Sequence, residues 1–229
     1  MALYTPGPMA GQISGRIGAS VFSHNRGGTY VRNGTIPIKV ISGPAVAAKN
    51  RMKAIVRSWA AVGVASRLAW QTYCQENPIT NRLGNKSTLS AHMAFSGINC
   101  RLNLIGAAAI TLPPITEPPA ALTALSAVCD RSLNSCLLTF AATPIPVSTA
   151  MWLEVAVVTS PAINYIENSW KVVGHLAAAV ATGEDILSKI EARFGLLQVG
   201  QTVHIRASMI GTTNGLLSGP IQCSTVVVV

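Results

Sequence analysis

The chain has 229 residues, of which 49% are hydrophobic, 5% aromatic and only 11% Asp, Glu, Lys or Arg. That length buries a core in one or two domains, yet so few charges leave a lone monomer poorly solvated, which points to burial against neighbouring subunits. The net charge of +9 is concentrated at the front, where residues 1–106 carry twelve Lys or Arg against one acid, Glu76, while residues 107–229 carry five against seven. Such a front half cannot neutralise itself and needs counterions or an acidic partner, and eight carboxylates in the whole chain leave little for acid–base catalysis.

Residues 1–12 (MALYTPGPMAGQ) read as a Pro/Gly arm. They lack a basic n-region and an apolar h-region, so no secretory signal is expected, and the five cysteines are then expected to be reduced and mostly buried. Cys129 and Cys136 flank an expected hairpin and would pair only if oxidised; the glycosylation-like triplets at Asn33 and Asn85 read as chance. The uncharged stretches 132–153 and 207–229 are interrupted by Pro, Gly, Ser and Thr, unlike a membrane span.

Ile13, Gly15, Ile17, Ala19 and Val21 alternate with polar or glycine residues and lead to Phe22. With the turn-rich His24–Gly28 and the extended Thr29–Arg32, they predict one β-hairpin whose loop uses Gly27 and Gly28 for positive φ. Three helices follow. The first starts at Ser42-Gly43-Pro44, with Ser42 as cap, turns Met52, Ile55, Val56 and Trp59 inward, and carries Lys49, Lys53 and Arg57 on a separate stripe. A second spans 65–76 with Trp70, Tyr73 and Cys74 on one face, stopped by Asn77-Pro78. A third covers 89–105, where Ala91, Phe95, Ile98, Leu102 and Ile105 mark one seam.

Two Pro-Pro pairs in 107–120 predict a stiff linker, and strands at 121–128, 135–142, 150–158, 168–176, 201–210 and 220–229 follow it, with a short helix at 183–193 headed by Glu184 and Asp185. The expected class is therefore α+β: an arm and β-hairpin (1–36), a helical module (37–106), a Pro-rich linker (107–120) and an immunoglobulin- or fibronectin-like β-sandwich (121–229). The run Val226–Val229 is expected to be covered, because an unpaired apolar strand invites aggregation.

Chemistry is sparse. His24, His92, His175 and His204 are scattered, and no His/Cys spacing, serine elbow or phosphate loop occurs, so no catalytic, cofactor or metal residues are expected. The expected contacts between copies are Ile13, Ile17, Val21, Phe22, Tyr30 and Val31, and the expected basic partner face is Arg26, Arg32, Lys49, Lys53 and Arg57.

The run from Gly11 to Arg32, then Arg57-Ser58-Trp59, Arg67-Leu68-Ala69-Trp70 and Asn81-Arg82-Leu83-Gly84, resembles a set of uncharacterised bacterial and phage-associated structural proteins. Ala192-Arg193-Phe194-Gly195, Gly200-Gln201-Thr202-Val203 and Ser218-Gly219-Pro220 are similar to the end of that set, so the resemblance spans most of the chain. The segment Ile36–Asn50 departs from the set's Pro-rich, Gln-containing lead-in. The resemblance implies a virion or filament component and carries no catalytic residues. The expectation is a self-assembling structural subunit of a phage virion (head decoration, tail or fibre) joined by strand exchange and assembled in the host cytoplasm. Its partners would be copies of itself and an acidic capsid or tail lattice, with non-specific nucleic-acid contact and no membrane. Alternatives are an extracellular filament or tube subunit, a basic nucleic-acid-associated packaging protein, and a displayed glycan-binding sandwich.

Overall fold

The computed structural model describes residues 2–7, 11–35, 42–81, 83–141, 143–160, 163 and 165–229, and among these it is α+β, with four α-helices and several antiparallel sheets. The expected join between hairpin and first helix, 36–41, and Arg82 lie outside the described residues. Two compact units are formed, one of residues 1–100 with 111–113, the other of residues 101–110 with 114–229.

The first unit opens with strands β1 (Ala2–Leu3), β2 (Gly15–Ile17), β3 (Ser20–Asn25) and β4 (Gly28–Asn33), arranged β1-β4-β3-β2. The alternating run 13–22 is therefore two strands and not one. Gly18, at φ 57°, reverses the chain so that Gly15 pairs with Phe22. Period-two alternation reads the same through a two-residue turn, which is why the run looked continuous. At the far tip the turn is Arg26-Gly27; the Asn25 side chain accepts the Gly27 N–H at 2.8 Å, and of the two glycines only Gly28 takes positive φ.

Helices α1 (Gly43–Ser58), α2 (Val64–Glu76) and α3 (Ala91–Leu104) lie close to the expected spans, with a 3-10 turn at Trp59–Ala61 and a small hairpin of β5 (Ile79–Thr80) and β6 (Lys86–Ser87). Pro44 sits in the first turn of α1, but Ser42 caps it by position only, with no side-chain bond. Asn77 ends α2 with both its backbone and its side-chain N–H groups on the Tyr73 carbonyl, each at 3.0 Å, just ahead of Pro78. Ile55, Val62, Trp70, Cys74, Phe95 and Ile98 are buried. Met52, expected inward, is 47% exposed.

The second unit contains β7 (Ala124–Asp130), β8 (Ser135–Ala141), β9 (Thr149–Val158), β10 (Lys171–Leu176), β11 (Glu184–Asp185), helix α4 (Leu187–Phe194), β12 (Thr202–Gly211) and β13 (Ile221–Val226). One sheet has the order β10-β9-β12-β13 and the other β11-β8-β7. Leu138 and Phe140 from the smaller sheet share one core with Met151, Leu153, Val155, Val203 and Ile205 from the larger. Alternation on β12 is as expected, with Val203, Ile205, Ala207 and Met209 all buried.

Two expectations are corrected here. Glu184 and Asp185 do not open the helix; they form β11 against Leu138 and Leu137, and the helix begins at Leu187. Asp185 still serves the helix start, since its Oδ1 accepts the Leu187 N–H at 2.9 Å together with the Cys136 N–H at 2.8 Å. A strand N–H offers that carboxylate a second donor, which a helix N-terminus alone would not. Cys129 and Cys136, expected as thiols, are joined as a disulfide, because the β7–β8 register sets them directly opposite each other. The terminal run, expected to be covered, is covered only at Val227, which is buried; Val226, Val228 and Val229 are exposed, and Val228 leaves the larger sheet to bridge Asp130 of the smaller one.

Candidate functional site

No described residue ahead of Ile55 is buried, although that stretch builds a four-stranded sheet and most of α1. Side chains alternate between the two faces of a strand, and directly paired residues share a face. Phe22 and Val31 therefore stand together with Ala2 and Gly15, while Val21 and Tyr30 lie on the opposite face with Arg16, Arg32 and Leu3. The six expected contact residues are thus divided between two faces. Ile17, on the Phe22 side, is 69% exposed, and Ile13 lies outside the strands with its carbonyl accepting the Tyr4 hydroxyl at 3.2 Å. Tyr4, which sequence reasoning passed over, stands edge-on to Phe22 with ring centroids 5.9 Å apart. Among the described residues, strands β1 and β2 are the sheet's two edges, each paired on one side only. Such edges offer main-chain donors and acceptors to a further strand.

The tip of the sheet is tied down. Ser87 donates its hydroxyl to the Arg26 carbonyl at 2.8 Å, and Asn81 donates Nδ2 to the Gly27 carbonyl at 2.7 Å. Beside these bonds lies a cleft of about 330 Å³ lined by Asn25, Arg26, Gly27, Ile79, Asn81 and Met93 among others. Burial pushes the Cys74 thiol above its ordinary pKa, and the nearby charge of Arg26 opposes that rise.

The five cations of the expected basic face are not gathered in one place. Arg26 sits at the sheet tip and Arg32 on β4 beside Arg16, whereas Lys49, Lys53 and Arg57 follow one another at four-residue steps on α1, all three exposed. None of the five forms an ion pair among the described residues. The first two turns of α1, from Gly43 to Asn50, are exposed at every residue.

Behind this surface stands an aromatic cluster that explains the Arg/Trp motifs. Phe95 packs against Trp59 at 5.0 Å and Trp70 at 5.7 Å, and Trp70 donates Nε1 to the Thr111 carbonyl at 2.9 Å. Arg67 lies over the Trp59 ring at 5.5 Å and donates Nη2 to the carbonyls of Trp59 and Ala60 at 3.1 and 2.9 Å. These motifs hold helix ends together. In the second unit Arg206 stacks on Trp170 at 4.2 Å and meets Glu154 and Glu167, each at 3.8 Å.

Among the described residues no three His, Cys, Asp or Glu side chains converge as a metal site would require, and no helix is long and apolar enough to cross a membrane. No family model matches the chain, and neither a curated protein nor a solved structure matches it.

Proposed function

We propose that the chain is a self-assembling structural subunit of a phage-type virion, a head decoration, tail or fibre component, and not an enzyme. The observation that carries this reading is the absence of any buried side chain before Ile55 among the described residues. A small sheet whose apolar side chains Val21, Phe22, Tyr30 and Val31 are only half-buried, and whose two edges are unpaired among the described residues, gains little stability alone in water, so it is completed by what it packs against. Copies of the chain are the natural source: an edge strand of one copy extends the sheet of the next through main-chain hydrogen bonds, and Ile17, Phe22, Val31, Val21 and Tyr30 are covered as it does so.

On this reading the second unit is displayed or acts as a spacer, and it is an immunoglobulin/fibronectin-like sandwich. Support comes from the division of its seven strands, the first, second and fifth in one antiparallel sheet and the other four in the second, over a shared core. The partners are copies of the chain and an acidic capsid or tail lattice, and the site of action is the virion.

Light scattering on the purified full chain, beside a chain lacking residues 1–36, tests the assembly. The full chain should form large species, and the shortened chain should stay small while keeping its β-rich circular dichroism. A well-folded monomer of the full chain at high concentration overturns the reading, and so does unchanged assembly after the deletion. Electron micrographs of spontaneous long fibres would move the subunit from a virion to an extracellular filament.

A further inference from the structure

We infer that α1 binds nucleic acid by its phosphates, through Lys49, Lys53 and Arg57, without reading base sequence. This goes beyond assembly, and it rests on the assembly reading in one respect only, namely that identical copies add their charges.

The first argument is where the carboxylates go. Glu191 is held by Arg131 at 2.8 Å, and Glu154 and Glu167 are held by Arg206. Asp130 accepts the Ser132 N–H and hydroxyl, and Asp185 accepts the N–H groups of Cys136 and Leu187. The carboxylates of Glu76, Glu117 and Glu184 accept no hydrogen bond and form no ion pair among the described residues, Glu117 meeting Asn214 through its backbone carbonyl only. A neighbouring copy therefore brings three uncommitted carboxylates to a front half that carries twelve Lys or Arg. Each copy joining a lattice also adds another +9, so association concentrates like charge and does not neutralise it. The counter-charge has to come from outside the chain.

The second argument is geometric. A helix rises 1.5 Å per residue, so four-residue steps set the three cations about 6 Å apart along one side, a row able to follow a charged backbone. Because Gly43–Asn50 is exposed all round, this half of the helix is open to approach from any side. A helix with its side chains is about 10–12 Å across and fits a major groove about 12 Å wide. An acidic protein would instead meet α1 through aromatic or aliphatic anchors, and the large apolar side chains that α1 exposes are Val46 and Met52 alone among the described residues. Contacts of Lys and Arg to phosphates position a protein without reading sequence, so a row of cations tracking the backbone binds independently of sequence.

The test is fluorescence anisotropy of a labelled random-sequence 30-base-pair DNA with the full chain between 50 and 200 mM NaCl. Each phosphate contact contributes about −0.9 to the slope of log affinity against log salt. Replacing the stripe (Lys49→Gln, Lys53→Gln and Arg57→Gln together) should therefore flatten the slope by about 2.7, equivalent to about a forty-fold smaller loss of affinity over that range. Light scattering of the same variant should show assembly unchanged, which separates failure of this inference from failure of the assembly reading. If the triple variant misfolds by circular dichroism, single substitutions at Lys49 and Lys53 carry the test, each flattening the slope by about 0.9. A slope near zero, an unaltered slope in a folded variant, or equal competition by polyglutamate overturns the inference, the last in favour of an acidic protein partner.

Discussion

Arg67 shows how one side chain in the first unit joins two elements: its guanidinium reaches back from α2 to the Trp59 and Ala60 carbonyls of the 3-10 turn while lying over the Trp59 ring. Replacing it by Met keeps the stem but takes the donor from the Ala60 carbonyl, while the Trp59 carbonyl keeps the Val62 N–H at 3.1 Å. That should cost about 1 kcal/mol, read as a lower thermal midpoint of the first unit. Trp70→Ala should cost more, about 3–5 kcal/mol, since the ring is fully buried between Tyr73 and Phe95. Ile17→Lys is expected to leave the thermal midpoint alone, because 69% of the side chain is already exposed, and yet to reduce assembly in light scattering. Cys223 gives a pH signature. Burial lifts its thiol from 9.0 to about 11. A group whose folded value is raised contributes its full stability below the unfolded value and loses it as pH climbs through the folded one, so this contribution fades between about 9 and about 11. Alkylation of native Cys223 at pH 8 should accordingly be slow and become fast on unfolding. Inward-pointing residues such as Val203, Ile205 and Trp70 were legible in the sequence because burial follows periodicity. The contacts of Tyr4 were not, because an edge-on ring contact made from an arm leaves no periodic trace.

At the level of elements, α1 is the outlier. Helical stability in proteins comes mostly from packing of one face, and every residue of its first two turns is exposed. Hydrogen exchange should find the amides of 43–50 unprotected in dilute subunits and protected in the assembly or on nucleic acid; protection in the free subunit would count against both readings. β13 and the residues after it do the opposite work, since Val228 N–H bonds to Cys129 in the smaller sheet while Ile221–Val226 stays with β12 in the larger. Val227→Ala in this clasp should cost about 2 kcal/mol, measured by denaturant unfolding of the second unit. The three long helices and the main strands of the second unit were readable from hydrophobic spacing alone. Two errors share a cause: the turn at Gly18 and the short β11 each involve two or three residues, below the window over which periodicity can be recognised. The disulfide was set aside for another reason: the hairpin already brought Cys129 and Cys136 together, but their thiol state was inferred from the want of a secretory signal, which says nothing of local geometry.

On the scale of the whole chain, composition anticipated more than any motif did. The shortage of charge foreshadowed a sheet whose apolar side chains are only half-buried, and the lopsided charge foreshadowed a helix whose cations meet no carboxylate among the described residues. The Arg/Trp motifs turned out to hold helices together and do not form a reactive site. Both the assembly and the phosphate readings predict that high salt will act on the particle in two separate ways: nucleic acid should leave, while a lattice held by main-chain pairing and apolar contact should stay intact. Sedimentation at 0.1 and 1 M NaCl measures both, and dissociation of the lattice at the higher salt would show that charge, and not strand pairing, joins the copies.

The unpacked turns of α1 also have a bearing on turnover. Lys49 sits within a stretch of helix exposed at every residue, and local opening there presents a basic peptide bond to any protease of trypsin-like specificity. A subunit waiting alone would be cut at this point first, and one already built into the lattice would be spared.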